Sequence, residues 1–504
     1  MGIKRYTADA DNTITNAFKS DLKTRATASN MGLADSLEVF RIYGQESSSS
    51  VEDSRILVQF PITDISSDRT AGTIPASGNV SFYLRLFNAK HPFTLPRNYN
   101  MIVATVSRAW NEGTGLDMDN YSDQGASNYI EAASSSAGIT NWTSPGGDYH
   151  AEPRFTASFD TGIEDLEIDV SDAVERWLAG DRVNYGFGVF LENQTAVTSS
   201  YTKKFFARGS EFFFKRPVIE ARFDSTTKDN RGNFFYSSSL APAGDNLNTL
   251  YLYNYVRGRL VDIPALGSTN KIYVSLFSGS ADNTTTSGSA LALSLGGGVA
   301  AAGDINATGS KVSTGIYSCT LALTAANDGN TGLYPGTNIT KLFDVWHTAS
   351  NGSSIGSIVF RTGTIEPQEV TALGYNPYSQ YVMNITNLRD RYYRNETAQF
   401  RLYTRNKNWQ PTIYVKASEV PENIIIESGS FKVVRLVDNL DVIPFGTGSD
   451  RHTELSYDAS GSYFDLDMNL LQADYAYGIK FAFYDDVAQS WNEYPDIFKF
   501  RVEE

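Results

Sequence analysis

The 504-residue chain has one cysteine, Cys319, and only four histidines, His91, His150, His347 and His452, far apart along it. A single thiol excludes an intramolecular disulfide framework, and the scattered histidines leave no zinc-type spacing. Stability must come from packing. Basic charge is also short, with 42 Lys and Arg against 57 Asp and Glu and a net charge of −15. Proteins that bind duplexes neutralise phosphates with clustered cations, so nucleic acid is not an expected partner. No run reaches the roughly 18 apolar residues of a membrane span, so a membrane is not expected either. The opening Met1 to Tyr6 leads into polar sequence without the apolar stretch of a signal peptide, and Tyr6 stands where a myristoylation signal wants Ser or Thr. The expectation is a protein made in the cytosol, or assembled there into something larger. Asn-x-Ser/Thr triplets at Asn141, Asn338 and Asn395 then read as chance.

Helical periodicity is scarce as well. Its best case is Ser171 to Leu178, where Ser171 or Asp172 can cap and Val174, Trp177 and Leu178 form a short apolar stripe. Trp177 is expected to plug the end of a sheet structure.

Period-2 alternation is what the chain has instead. Ile56, Val58 and Phe60 share one face while Arg55 and Gln59 take the other, and Val80, Phe82, Leu84 and Leu86 repeat the pattern. So do Leu166, Ile168 and Val170 against Glu167 and Asp169, and Phe187, Val189 and Leu191. Together with 29 Phe, 29 Tyr and 40 Gly, this predicts an all-β protein of tandem sandwiches whose sheets pack on one face and are wet on the other. Composition turns polar at Asp224 to Asn230 and again near Glu366 to Gln380, giving units 1–225, 226–368 and 369–504. Residues 283–289 and 296–309 read as loop tips of the middle unit. Tyr317 two residues before Cys319, and Leu471 to Tyr477 with tyrosine-corner spacing, are patterns of immunoglobulin-like sandwiches; Ala473-Asp474 stands where Pro-Gly is common.

The first unit carries a series of stations in order: Ser54-Arg55-Ile56-Leu57-Val58-Gln59-Phe60, Val80 to Phe87, Trp110-Asn111-Glu112-Gly113, Thr140-Asn141-Trp142, Val170 to Trp177 with Asn184-Tyr185-Gly186-Phe187, and Arg216-Pro217-Val218-Ile219. In this order they resemble the DNRLRE (disaggregatase-related) domain, a β-sandwich related to carbohydrate-binding modules. That resemblance implies a jelly-roll-type sandwich over somewhat under half of the chain. The opening Ile3 to Thr15 and the three-unit layout also resemble virion structural proteins of marine, cyanophage-type tailed phages. What this implies is a particle protein of tail, neck, fibre or capsid decoration, assembled in host cytoplasm, with other virion proteins and further copies of itself as partners.

Catalytic signals fail in context. Gly352-Ser353-Ser354-Ile355-Gly356 fits G-x-S-x-G, but a nucleophile elbow needs a strand before it and a helix after it, and here a polar loop precedes an apparent strand. Carboxylate pairs such as Glu164 and Asp165 are common in an acidic chain and say nothing of glycosidase chemistry without their separation in space. The arginine run Arg389, Arg391, Arg394, Arg401 and Arg405 reads as a solvated face or a protein interface. The chain therefore reads as non-catalytic. Two binding candidates remain. Asp117, Asp119 and Asp123 could gather oxygens round calcium, although the EF-hand register fails at Tyr121. Trp110 and Trp142 lie in loop sequence, where exposed rings would stack on sugars. The rival to a virion structural role is thus an adhesin recognising host or extracellular polysaccharide.

Overall fold

The computed structural model describes residues 2–90, 97–122, 125–192, 201–280, 282–294, 304–324, 339, 341–368, 380–409, 423–486 and 488–504. The chain is a tandem array of β-sandwich domains. In the first unit the strands are β1 (Ile3–Thr7), β2 (Ala10–Thr15), β3 (Ser36–Tyr43), β4 (Val51–Gln59), β5 (Ser81–Leu86), β6 (Tyr99–Val106), β7 (Glu131–Ser135), β8 (Gly138–Asn141), β9 (Tyr149–Phe159), β10 (Leu166–Asp169), β11 (Phe187–Leu191), β12 (Tyr201–Phe206) and β13 (Val218–Arg222). One sheet runs β1-β13-β5-β10; the larger runs β12-β3-β4-β11-β6-β9, with β2 also on β4. Their facing sides form one core, in which Ile56, Val58, Phe60, Phe82, Leu84, Leu86, Leu166, Phe187 and Val189 meet. The alternation read from the sequence selects these residues correctly.

Two helices pack side by side against the core of this sandwich. The expected one spans Ser171–Ala179, and Trp177 is buried against Phe187 with ring centroids 4.8 Å apart. Its N-terminus departs from expectation. Neither Ser171 nor Asp172 caps it; Ser171 Oγ instead accepts from the Phe82 N–H (2.7 Å), Asp169 Oδ1 accepts from the Ser171 N–H (2.8 Å), and Asp172 pairs with Arg176 (3.0 Å). The other helix, Ile62–Thr70, has no apolar stripe to announce it, burying only Ile65. A two-pronged Arg69–Glu175 pair at 2.7 and 2.6 Å ties the two helices together.

In the middle unit the main strands form one continuous sheet ordered Asn248–Tyr253, Ile316–Leu321, Ala307–Ser313, Lys271–Gly279, Leu342–His347, Val359–Ile365. The core side of this half-barrel is closed by loop residues, among them Phe234, Tyr236, Leu291 and Leu293, and by Leu266 of the short 3-10 helix Pro264–Thr269. Tyr317, Cys319 and Leu321 alternate inward, and the Tyr317 hydroxyl accepts from the Ile263 N–H at 2.8 Å. Of the residues read as loop tips, Thr286–Ser287 and Ala307–Gly309 pair as strands, while 296–303 lie outside the described residues.

The third unit is a two-sheet sandwich. Tyr381–Ile385, Thr397–Asn406, Gly461–Asp467 and Ser456–Asp458 face Arg391–Tyr393, Phe498–Glu503, Ala476–Asp485, Gly429–Arg435 and Leu440–Ile443. Its centre is aromatic: the Phe464 ring lies 4.0 Å from Phe431 and 5.1 Å from Phe400. The tyrosine corner is present, with the Tyr477 hydroxyl donating to the Gln472 carbonyl at 2.7 Å. Asp474 takes the left-handed backbone (φ 69°) that glycine usually supplies there.

Candidate functional site

Both candidate sugar platforms are core. Trp110 and Trp142 are 7% and 5% exposed and pack with Ile14, Leu57, Val106 and Ala132 on the outer face of the larger sheet. Their indole N–H groups donate to the Tyr185 carbonyl (2.8 Å) and the Asn128 carbonyl (2.9 Å). The chain between β6 and β9 folds back over β4, so Leu57, which alternation assigns to the outer face, acquires a second small core. No ring face is left for a sugar, which corrects the expectation for these two residues. Sequence cannot separate a loop tryptophan that stacks on a ligand from one that roofs its own sheet.

Of the calcium candidate, Asp117 and Asp119 are described, and both accept from backbone N–H groups. Asp117 Oδ1 accepts from the Asp119 and Asn120 N–H groups (2.9 and 2.7 Å), and this turn lowers its pKa. Asp119 Oδ1 accepts from the Ser20 N–H at 2.9 Å. Asp123 lies outside the described residues. Among the described residues no three His, Cys, Asp or Glu side chains are placed to hold a metal ion. The other motifs have local duties. Ser354 donates to Asn351 Oδ1 (3.1 Å) and the strand Val359–Ile365 follows it, while Glu164 and Asp165 accept from the N–H groups of Thr161 and Asn88 respectively. Arg389, Arg391 and Arg401 pair with Glu396, Glu503 and Asp458.

The electrostatically richest place is the joint between the first and third units. On the outward face of β1-β13-β5, alternation puts Arg5, Glu220, Arg222 and Arg85 side by side, and the third unit covers them. Glu220 is fully buried; Oε1 accepts from Arg5 Nε (2.7 Å) and Arg85 Nη1 (3.0 Å), Oε2 from Arg222 Nε (3.0 Å) and Nη2 (2.7 Å). Burial alone would raise its pKa, but Arg85, Arg5 and Arg222 together hold it well below the usual carboxylate range. Glu167 takes Arg222 at 2.7 Å and Arg85 at 3.2 Å. Arg5 reaches across to the Leu470 and Val442 carbonyls (3.0 and 2.8 Å), and Tyr83 donates to Asp450 (3.1 Å). Around the charges, Ile3 and Phe214 belong to the third unit's hydrophobic core. Gly2 sits so close to the residue after β13 that a Cβ would come within 1.7 Å of the Phe223 carbonyl oxygen.

His452 lies in this joint, 2% exposed, with Nε2 on the Pro444 carbonyl (3.2 Å) and Nδ1 4.0 Å from Asp450. Burial first, then Arg222, pulls its pKa from 6.5 to about 4 despite Glu220 and Glu167. An unfolded chain takes up this proton near pH 6.5 and the folded chain only near 4, so the unfolded state binds more protons between those values. Stability is expected to fall as pH drops from 6.5 towards 4, by at most about 1.4 kcal/mol per pH unit from this residue. Thermal melts of the wild type and His452→Gln at pH 7 and 5 check this. The wild type should lose more than the variant, and equal losses would remove His452 as the cause.

The segment after the first unit is also docked. Thr227 N–H donates to Ser456 Oγ (3.0 Å), Asp229 N–H to the Tyr457 carbonyl (3.0 Å), and Lys228 pairs with Glu454 (2.8 Å). Arg231 then bridges Asp229 (2.6 Å) and the buried Asp344 (2.7 Å) of the middle unit. The third unit is thus the hub on which the other two are fixed.

These features define a multi-domain β-sandwich protein with a buried, charged inter-domain joint. No protein-family model matches the chain, and no curated protein does. Among solved structures it is similar to a DUF4785 family protein from Legionella pneumophila subsp. pneumophila str. Philadelphia 1, at 8% identity over 99% of this chain and 90% of that one. The TM-score of 0.15 is too low for that likeness to carry an argument. Among the described residues no helix is long and apolar enough to cross a membrane.

Proposed function

We propose that the chain is a non-catalytic structural component of a tailed-phage particle, assembled in host cytoplasm and acting through protein–protein contacts with other virion proteins and with further copies of itself. The observation that supports this reading best is the fixing of the first and middle units to the third by buried contacts, including the connecting segment. A scaffold that must hold partners at set angles needs such joints, whereas an enzyme closing on substrate needs hinges. Two strands that end their sheets add to this: Tyr149–Phe159, paired with β6, and Val359–Ile365, whose Val359 is exposed. Sheet ends of this kind pair with other chains. The adhesin reading through Trp110 and Trp142 loses its support because both rings are buried. Antibody raised against the purified chain should decorate intact particles released from infected host cells. Particles that bind no antibody, with the chain left in the host soluble fraction, would sink the proposal.

A further inference from the structure

On the third unit, beside the docked connecting segment, lies a cleft of about 270 Å³ whose lining includes Lys228, Gly448, Arg451, Glu454, Tyr484 and Trp491. It is below the roughly 300–1,000 Å³ of sites for drug-sized ligands, and its size suits one pyranose ring. Four of its polar groups have no hydrogen-bond partner among the described residues. The Glu454 side chain is 8% exposed, and while Oε1 takes Lys228, Oε2 is buried without a hydrogen-bond partner. A buried carboxylate oxygen left unmet is unfavourable, so its presence in a cleft wall points to a donor arriving from outside. The Arg451 guanidinium makes no ion pair or hydrogen bond among the described residues and lines this cleft as well as its neighbour. Trp491 and Tyr484 stand opposite each other on paired strands, ring centroids 5.5 Å apart at 63°, both half-buried and with neither the indole N–H nor the phenol hydrogen-bonded among the described residues. An amphipathic ring beside unmet donors and acceptors is the chemistry that recognises a sugar.

Charge narrows the class. The cleft sets two cations, Lys228 and Arg451, against one carboxylate, so it is locally positive on a chain of net charge −15. We propose that it binds one uronic-acid unit of an acidic polysaccharide. Sugar hydroxyls donate to Glu454 Oε2, the sugar carboxylate pairs with Arg451, and a C–H face of the ring lies against Trp491. The site does not depend on the particle reading, since a chain of either role could carry it.

Titration calorimetry of the full chain with tetragalacturonate and with methyl β-glucoside tests the assignment. The uronate should bind saturably and the neutral glycoside at least tenfold more weakly. Arg451→Asn removes the cation while keeping a residue that tolerates the left-handed backbone found there (φ 47°), and should weaken uronate binding at least tenfold. Gly448→Leu adds a bulky side chain at a residue lining the cleft and should do the same, with the melting temperature unchanged because a Cβ there meets no atom within 4 Å. If Arg451→Asn does not fold, Gly448→Leu carries the test. No uronate binding by the wild type, equal binding by the Gly448→Leu protein, or equal affinity for the neutral glycoside would each overturn the proposal.

Discussion

Glu220→Gln is expected to destabilise the folded chain by about 3–5 kcal/mol, more than any surface change, because it leaves two buried guanidinium groups and the half-buried one of Arg5 around a neutral amide. Arg85 and Arg222 are each 3% exposed and Arg5 is held against the third unit, so none can swing into water to recover its hydration. Much of the loss is the penalty of the unpaired arginines and not the net worth of the original pairs. Denaturant unfolding measures it. Arg389→Gln, which breaks an exposed pair with Glu396 (side chains 54% and 28% exposed), serves as the contrast and should change stability by less than about 1 kcal/mol. A loss below about 1 kcal/mol for Glu220→Gln would mean that water reaches the joint. Glu220 and His452 also respond differently to acid. A carboxylate held well below its ordinary pKa keeps its contribution until strongly acid pH, so between pH 6.5 and 4 the joint is weakened through His452 and not through Glu220.

Trp110→Ala and Trp142→Ala are each expected to lower the stability of the first unit by about 3–5 kcal/mol, the usual effect of emptying a buried aromatic site. Both rings fill the small core on the outer face of β4, and each change also takes the donor from a carbonyl, the half-buried one of Tyr185 or the buried one of Asn128. Were either ring an exposed platform, its removal would change stability by about 0.5 kcal/mol or less. Tryptophan fluorescence through a urea titration separates the outcomes. A variant as stable as the wild type that has lost affinity for a glycan would restore the platform reading.

Much of the fold is legible in the sequence where burial follows alternation. Ile56, Val58, Phe60, Phe82, Leu84 and Leu86 are core as read, and Trp177 is the plug. The Leu471 to Tyr477 spacing does end in a Tyr477–Gln472 hydrogen bond. The alternation fails on the opposite faces. Arg5, Arg85, Glu220 and Arg222 obey the polar half of the pattern and so read as wet, yet the last three are buried and Arg5 is half-buried, because opposite charges from three neighbouring strands neutralise one another under a domain that arrives later in the chain. A one-dimensional pattern holds no information about that lid. Helix Ile62–Thr70 was illegible for a related reason: it buries only Ile65 and depends on Arg69 meeting Glu175, which is far away in sequence. The cleft on the third unit draws Lys228 from the connecting segment, Arg451 and Glu454 from a loop and Trp491 from a strand, so no local motif marks it.

The contact between Arg5 and Leu470 spans 465 residues. At about 5–20 residues per second, the ribosome needs on the order of 20–90 s to deliver the second partner after the first. Through that interval the first sandwich can close around its own core, but its arginine-bearing face has nothing above it. The nascent chain is therefore born with a face of mixed charge, Arg5, Arg85 and Arg222 set among Glu220, Glu167 and Asp169, which the finished molecule conceals and which other chains in the cell can reach only before the last domain is made.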